Sequence, residues 1–195
     1  MTRLEPPALA AHRAGNDPAR LARARPVADL CELDVHLGRR GRLEVRHAKR
    51  LWPTARLWER WYLLAPRTPV PDVATIVGAA AGSALWFDLK GVSPRLARRV
   101  APFVGPGDVV SSKSWWLLRP FRDRPGVRTF RSAGNRLELS LALHLPSRLR
   151  PDGMVVNQRL LDTRVLSRLR RRGAVVTWGI TDPSRLDAQI GRAHV

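Results

Sequence analysis

The chain has 195 residues and a mass of 21.9 kDa, the size of a single domain able to bury a core without disulfides or a structural metal. Its formal net charge is +19, and because only Lys49, Lys90 and Lys113 are lysines, 32 of the 35 basic residues are arginines. The arginines are spread along the chain, with no run longer than Arg170-Arg171-Arg172; this reads as solvated helix faces with a weak general attraction for polyanions, not as a dedicated nucleic-acid arm.

Several classes drop out on similar grounds. Cys31 is the sole cysteine, so no intrachain disulfide forms and no oxidising compartment is needed. The longest uncharged apolar stretch, residues 73–87, falls short of the ~20 residues of a membrane-spanning helix. The N-terminus has no apolar signal core, and the expected compartment is the cytoplasm. At 44% hydrophobic residues the chain is not a disordered tail.

In chain order, Ala8 to His12 reads as a short strand, and Asp17-Pro18 as a helix cap followed by proline at the first helical position. Leu30 to Val35 reads as a strand, Arg39-Arg40-Gly41 as a turn, and Leu43 to His47 as a second extended segment. Residues 48–70, with Trp52, Trp58, Trp61 and Tyr62, read as an irregular covering loop. Pro71-Asp72 opens a helix with Val73, Ile76, Val77 and Ala80 on one face. Leu85 to Leu89 is a strand, Ser93-Pro94 caps a helix, Asp108 to Ser111 is a strand, and Ser114 to Phe121 is a helix broken near Pro120. Val127 to Phe130 is a strand, and residues 136–145 fit helix or strand equally. Met154 to Val156 is a strand, Asp162 or Thr163 caps a helix ended by Gly173, Ala174 to Trp178 is a strand, and Asp182-Pro183 starts a last helix. This alternation, with about seven strands, predicts parallel β/α units in a barrel or a doubly wound sheet; no Gly-rich dinucleotide loop follows the first strand.

Polar residues gather at the strand ends. His12-Arg13 ends the first strand. Glu32 and Asp34 alternate onto one face of the second, as do Asp88 and Lys90 on a later one, and His47 closes the segment between. In a barrel, such groups converge at the C-terminal rim. Three carboxylates make a hard oxygen site for Mg²⁺ or Ca²⁺, two histidines can move protons near neutral pH, and an arginine with a lysine can hold a phosphate. Taken singly, each has a plainer reading: an outward polar face of an edge strand, a surface histidine, one arginine among many. The joint pattern at four strand ends carries the weight.

Ala11-His12-Arg13-Ala14-Gly15, Glu32-Leu33-Asp34-Val35-His36-Leu37 and Leu43-Glu44-Val45-Arg46-His47 together resemble the glycerophosphodiester phosphodiesterase domain. Phe87-Asp88-Leu89-Lys90, Val109 to Ser112 and Gly173 to Asp182, with Val176-Thr177-Trp178, resemble its later segments. The resemblance implies a single (β/α) TIM-type barrel domain over residues 1–195. It implies hydrolysis of a small-molecule phosphodiester to an alcohol and a phosphomonoester such as sn-glycerol 3-phosphate. It implies a divalent metal ion held by Glu32, Asp34 and Asp88, acid–base catalysis by His12 and His47, phosphate contacts from Arg13 and Lys90, and Trp178 in the substrate pocket. This chain departs from the family pattern in having Ala48 where an Asp follows the second histidine, Asn16-Asp17 where a Glu is usual, and Asp88 where Glu is common. The family's closing Val-Asp-Gly strand has no counterpart, so the barrel is expected to be incomplete at its eighth strand: either the chain is a fragment, or the barrel is open there and something else covers its edge. The departures leave a second reading open, a catalytically weak relative that binds phosphorylated ligands. A nucleic-acid module rests on the charge alone, and a phosphoinositide-cleaving barrel has little support in so short a chain. The sequence specifies no oligomeric state.

Overall fold

A computed structural model of the chain describes residues 8–51, 56–59, 62–64 and 68–178. In chain order the elements are β1 (Ala10–Ala11), α1 (Pro18–Ala24), β2 (Leu30–Leu37), β3 (Leu43–Val45), β4 (Lys49–Arg50), β5 (Leu57–Glu59), β6 (Tyr62–Leu63), α2 (Val73–Ala80), β7 (Leu85–Lys90), α3 (Pro94–Val100), β8 (Val109–Ser112), β9 (Arg128–Ala133), α4 (Arg136–Leu143), β10 (Gly153–Asn157), α5 (Thr163–Arg170) and β11 (Ala174–Trp178).

The helices start where short polar side chains satisfy free backbone donors. Asp17 accepts from the Arg20 N–H with Pro18 in the first turn, Asp72 from Thr75, Asn135 from Glu138 and Asp162 from Val165. Ser93 holds the cap position of α3 ahead of Pro94, but its hydroxyl makes no cap bond. The 136–145 ambiguity resolves as helix: the Asn135 cap fixes its start, and Leu139, Ala142 and Leu143 bury one face. Residues 115–121, expected to be α-helical, are 3₁₀ with Pro120 inside; proline denies the i→i−4 bond that an α-helix needs there.

The main sheet runs β1-β2-β7-β8-β9-β10-β11 in order, every pair parallel, with β3 folded back antiparallel on β2. It is a β/α barrel wall, and among the described residues β1 and β11 do not pair, so the barrel is open there. The alternation of side chains across each strand divides the molecule. Leu33, Val35, Phe87 and Leu89 face outward and pack under the helices with Leu21, Ile76, Leu96 and Leu118. Leu30, Trp86, Val109, Phe130 and Val155 fill the inside. Gly153 lets β10 pass close to its neighbours, since a Cβ there would lie 2.3 Å from the Ala174 carbonyl and 2.6 Å from the Phe130 ring.

The stretch 48–70 is not an irregular loop throughout. Its described part forms a separate antiparallel sheet, β4-β5-β6. The strands are two and three residues long, too short for alternation to show in the sequence. Trp52, Trp61 and the expected helix after Asp182 lie outside the described residues.

Candidate active site

Glu32 and Asp34 stand on the inner face of β2. Because Asp34 pairs in register with Asp88 of β7, all three carboxylates project into the same space above the apolar layer. One oxygen from each lies within 4.8 Å of the others, and Glu32 and Asp34 are 7% and 0% exposed. Lys90 bridges the set: its ammonium lies 2.7 Å from Asp34 Oδ1 and contacts Asp88. Ser111 of β8 donates to Asp88 Oδ1 at 2.8 Å and accepts from the Trp86 indole at 2.8 Å. That chain of bonds fixes the Asp88 carboxylate, so its shorter side chain still reaches the group.

The β1–α1 loop supplies the next wall. Arg13 takes a left-handed backbone, φ 59°, a conformation that costs a non-glycine residue roughly 1–3 kcal/mol. The strain is offset by its N–H donating to Glu32 Oε2 at 2.6 Å. Gly15 follows, where a Cβ would lie 2.9 Å from Leu33 Cβ; only glycine lets this loop lie on β2. Asn16 then locks onto Asp34 twice, its amide donating to Oδ2 and its oxygen accepting from the Asp34 N–H, both at 2.7 Å. His12 leans out over the mouth, with Nε2 3.9 Å from Glu32 Oε2 and its side chain 55% exposed.

His47 follows β3, and both ring nitrogens are engaged. Nδ1 lies 2.5 Å from Glu59 Oε1 of β5, and Nε2 lies 2.5 Å from Arg13 Nη2. Arg13 also lies 3.9 Å from Asp34 and from Glu59. Trp178 ends β11 in register with Asn157, and its ring lies beside Gly134.

The electrostatics follow from two buried acids and a half-buried one facing one ammonium. Burial, then repulsion from Asp34 and Asp88, pushes the Glu32 carboxyl up to about 8. Burial would raise Asp34 too, but the Lys90 charge and the bonds from Lys90 and Asn16 hold it below the ordinary carboxylate range. Burial alone would depress Lys90, and Asp88 and Asp34 overcome that, so it stays firmly protonated. Desolvation and the Arg13 charge lower His12. His36, on the same strand, is pushed down to about 4 by burial and then Arg46. Its Nε2 is buried with no hydrogen-bond partner, so it is a neutral residue set aside from the cluster.

The donor set suits a hard divalent cation. It has three carboxyl groups around one ammonium, and burial with the two neighbouring acids favours the neutral form of Glu32. The structure thus gathers His12, Arg13, Glu32, Asp34, His47, Asp88 and Lys90 at one mouth, and sets Trp178 on the rim at β11. Three further residues have no counterpart in the sequence reading as functional groups: Asn16, Glu59 and Ser111. Glu59 lies 12 residues beyond His47, across a sheet the sequence does not announce.

No family model matches the chain, and no curated protein matches it by sequence. Solved structures do. A phosphodiesterase from Oleispira antarctica, in complex with the product sn-glycerol-3-phosphate, superposes with a TM-score of 0.71 at 17% identity, covering 95% of this chain and 90% of that one. A glycerophosphodiester phosphodiesterase from Thermotoga maritima gives 0.70 at 17% identity, covering 95% and 91%. One from Parabacteroides distasonis gives 0.69 at 17%, covering 95% and 89%. The fold is therefore a TIM-type barrel, incomplete within the described residues. More narrowly, it is the barrel that glycerophosphodiester phosphodiesterases adopt.

Proposed function

We propose that the chain is a single-domain, metal-dependent phosphoric diester hydrolase that cleaves glycerophosphodiesters to an alcohol and sn-glycerol 3-phosphate, an activity belonging to lipid metabolism. The observation that carries this reading is the convergence of three carboxylate oxygens within 4.8 Å on a mouth that also bears His12, His47, Arg13 and Lys90. The likeness to a phosphodiesterase holding sn-glycerol-3-phosphate supports the substrate class.

Glu32, Asp34 and Asp88 would hold the cation, Mg²⁺ or Ca²⁺, which supplies positive charge against the phosphate. Arg13 and Lys90 bind the phosphate oxygens as fixed donors. Hydrolysis adds the elements of water across a P–O bond. One imidazole takes the proton from the attacking oxygen, and the other returns a proton to the departing alkoxide. His12 and His47 flank the cluster from two different loops, as that division of labour requires. Trp178 at the rim would contact the alcohol side of the substrate. No nucleic-acid specificity enters this reading. Among the described residues no helix is long and apolar enough to cross a membrane.

The test is release of sn-glycerol 3-phosphate from a soluble glycerophosphodiester with added Mg²⁺ or Ca²⁺, with chelator as the blank. Metal-dependent release is the expected result. Saturable binding of sn-glycerol 3-phosphate without turnover under any of these metals would overturn it in favour of a phosphate-binding relative.

A further inference from the structure

We propose that Glu59, carried on the small β4-β5-β6 sheet, is the positioning residue for His47. It accepts the Nδ1 proton and so makes Nε2 the nitrogen that works. The inference rests on the hydrolase reading above for its catalytic consequence, but its structural core does not.

The tautomer follows from the partners. A guanidinium only donates hydrogen bonds, so the 2.5 Å contact between Arg13 Nη2 and His47 Nε2 makes Nε2 the acceptor. A neutral imidazole with a bare Nε2 carries its proton on Nδ1. That proton points at Glu59 Oε1, 2.5 Å away. The ring is thereby held with a lone pair on the nitrogen beside Arg13, the residue that would meet the phosphate.

The sheet that brings Glu59 in is anchored at more than one point. Leu57, on the same face of β5 as Glu59, is 7% exposed. Arg50 of β4, paired with Leu57, bonds both oxygens of Glu44 at 2.8 Å. The Glu59 side chain is only 17% exposed. Its carboxylate engages His47 and Arg13. A carboxylate withdrawn from water against these two partners has the placement that orienting an imidazole demands. In the reaction Arg13 Nη2 turns from Nε2 to the phosphate, which frees the lone pair; the O–H bond of the attacking oxygen then breaks, the Nε2–H bond forms, and the ring becomes an imidazolium whose charge faces Glu59.

Two measurements test this. In metal-free protein labelled with ¹⁵N at histidine, His47 is expected to show a protonated Nδ1 and a bare Nε2, with a slowly exchanging Nδ1 proton. That proton should persist in Glu59→Gln, whose carbonyl still accepts, and vanish in Glu59→Ala. In the hydrolysis assay Glu59→Ala should lower kcat by roughly 10- to 100-fold, by analogy with the loss of a carboxylate that orients a metal-bound histidine, with KM within about twofold. Glu59→Gln should recover part of that loss. The double variant His47→Ala/Glu59→Ala should be no slower than His47→Ala, because residues acting through one another are not additive. A proton on Nε2 in the wild type, a wild-type kcat in Glu59→Ala, or a full further loss in the double variant overturns the proposal. A wild type with no turnover removes the hydrolase reading alone, since the tautomer still decides the role of Glu59.

Discussion

At the residue scale, the two histidines differ in what holds them. His47 is pinned at both nitrogens, while His12 is 55% exposed and reaches only to within 3.9 Å of Glu32 Oε2. Neither belongs to the cluster of three carboxylates. His12→Ala and His47→Ala are each expected to reduce turnover by roughly 10²- to 10⁴-fold, the range of one acid–base group, with metal affinity unchanged. His36→Ala should leave turnover intact, because that ring is half-buried apart from the cluster and desolvation favours its neutral form. The assay is phosphomonoester release at saturating metal; loss in His36→Ala together with full activity in His47→Ala would mean the wrong histidine has been assigned. Glu32 gives a second prediction. Its carboxyl is pushed up to about 8 by burial and by the neighbouring acids, so a metal ion must displace a proton. Apparent affinity should rise by about tenfold per pH unit up to that value. Calorimetric titration at about pH 7 in two buffers of different ionisation heat should report close to one proton released per ion. Linkage fixes the companion sign. Folding raises this pKa, so metal-free protein is stabilised below the ordinary carboxyl range and loses that contribution as pH climbs through about 8. Affinity that stays flat across this window would mean that Glu32 is already ionised.

The element scale shows what a sequence can and cannot reveal. Asp17-Pro18, Pro71-Asp72 and Asp162 mark helix starts because capping is a local bond, written within four residues of chain. The central parallel strands are legible because both of their faces are largely buried, giving runs such as Leu85 to Leu89. The carboxylate pair on β2 is legible because strand alternation is also local. The β4-β5-β6 sheet is not, since its strands are too short to show a period, and Glu59 reaches His47 only once that sheet exists. Asn16 and Ser111 escape for a related reason: their roles are second contacts to Asp34 and Asp88, which only the packed barrel brings near. The cap at α2 supplies the test at this scale. Asp72 Oδ1 accepts from both the N–H and the hydroxyl of Thr75 at 2.8 Å, and Arg42 lies 3.6 Å from Oδ2. Asp72→Ala should cost about 1 kcal/mol of stability, within the usual range for a lost cap, and leave turnover unchanged. The Thr75 N–H, its hydroxyl and Arg42 hold the Asp72 carboxyl below its ordinary value. The stabilisation is thus present above the ordinary carboxyl pKa and fades as pH falls through the lowered one. Urea melts of the two proteins should therefore converge in acid, and a gap that persists there would show that packing, not the charged cap, is responsible.

At the scale of the whole molecule, part of the +19 charge is carried on exposed helix faces. In α3 the buried face is Leu96, Ala97 and Val100, and the exposed face includes Arg95, Arg98 and Arg99. In α5 Leu169 is buried while Arg164 and Arg168 are exposed. The guanidinium groups of Arg95 and Arg99 even crowd together, since a Cβ on Gly41 would lie 3.1 Å and 3.5 Å from them. Such a surface repels itself, and the repulsion is long-ranged when salt is scarce. The screening length falls from about 30 Å at 0.01 M salt to about 8 Å at 0.15 M. Isolated surface ion pairs, which salt would weaken, are worth at most about 1 kcal/mol each. The balance therefore favours a melting temperature that rises with salt over this interval, by roughly 2–4 °C for each kcal/mol of repulsion relieved in a chain of this size. The same charge should make the protein stick to any polyanion at low salt and release it steeply as salt increases, without preference for sequence. Melting curves and retention on immobilised DNA and on heparin, both followed against sodium chloride, measure the two effects. A melting temperature that falls with salt would mean that ion-pair networks outweigh the net charge. Retention on one nucleic acid that resists salt while heparin elutes would mean that the arginines form a specific surface after all.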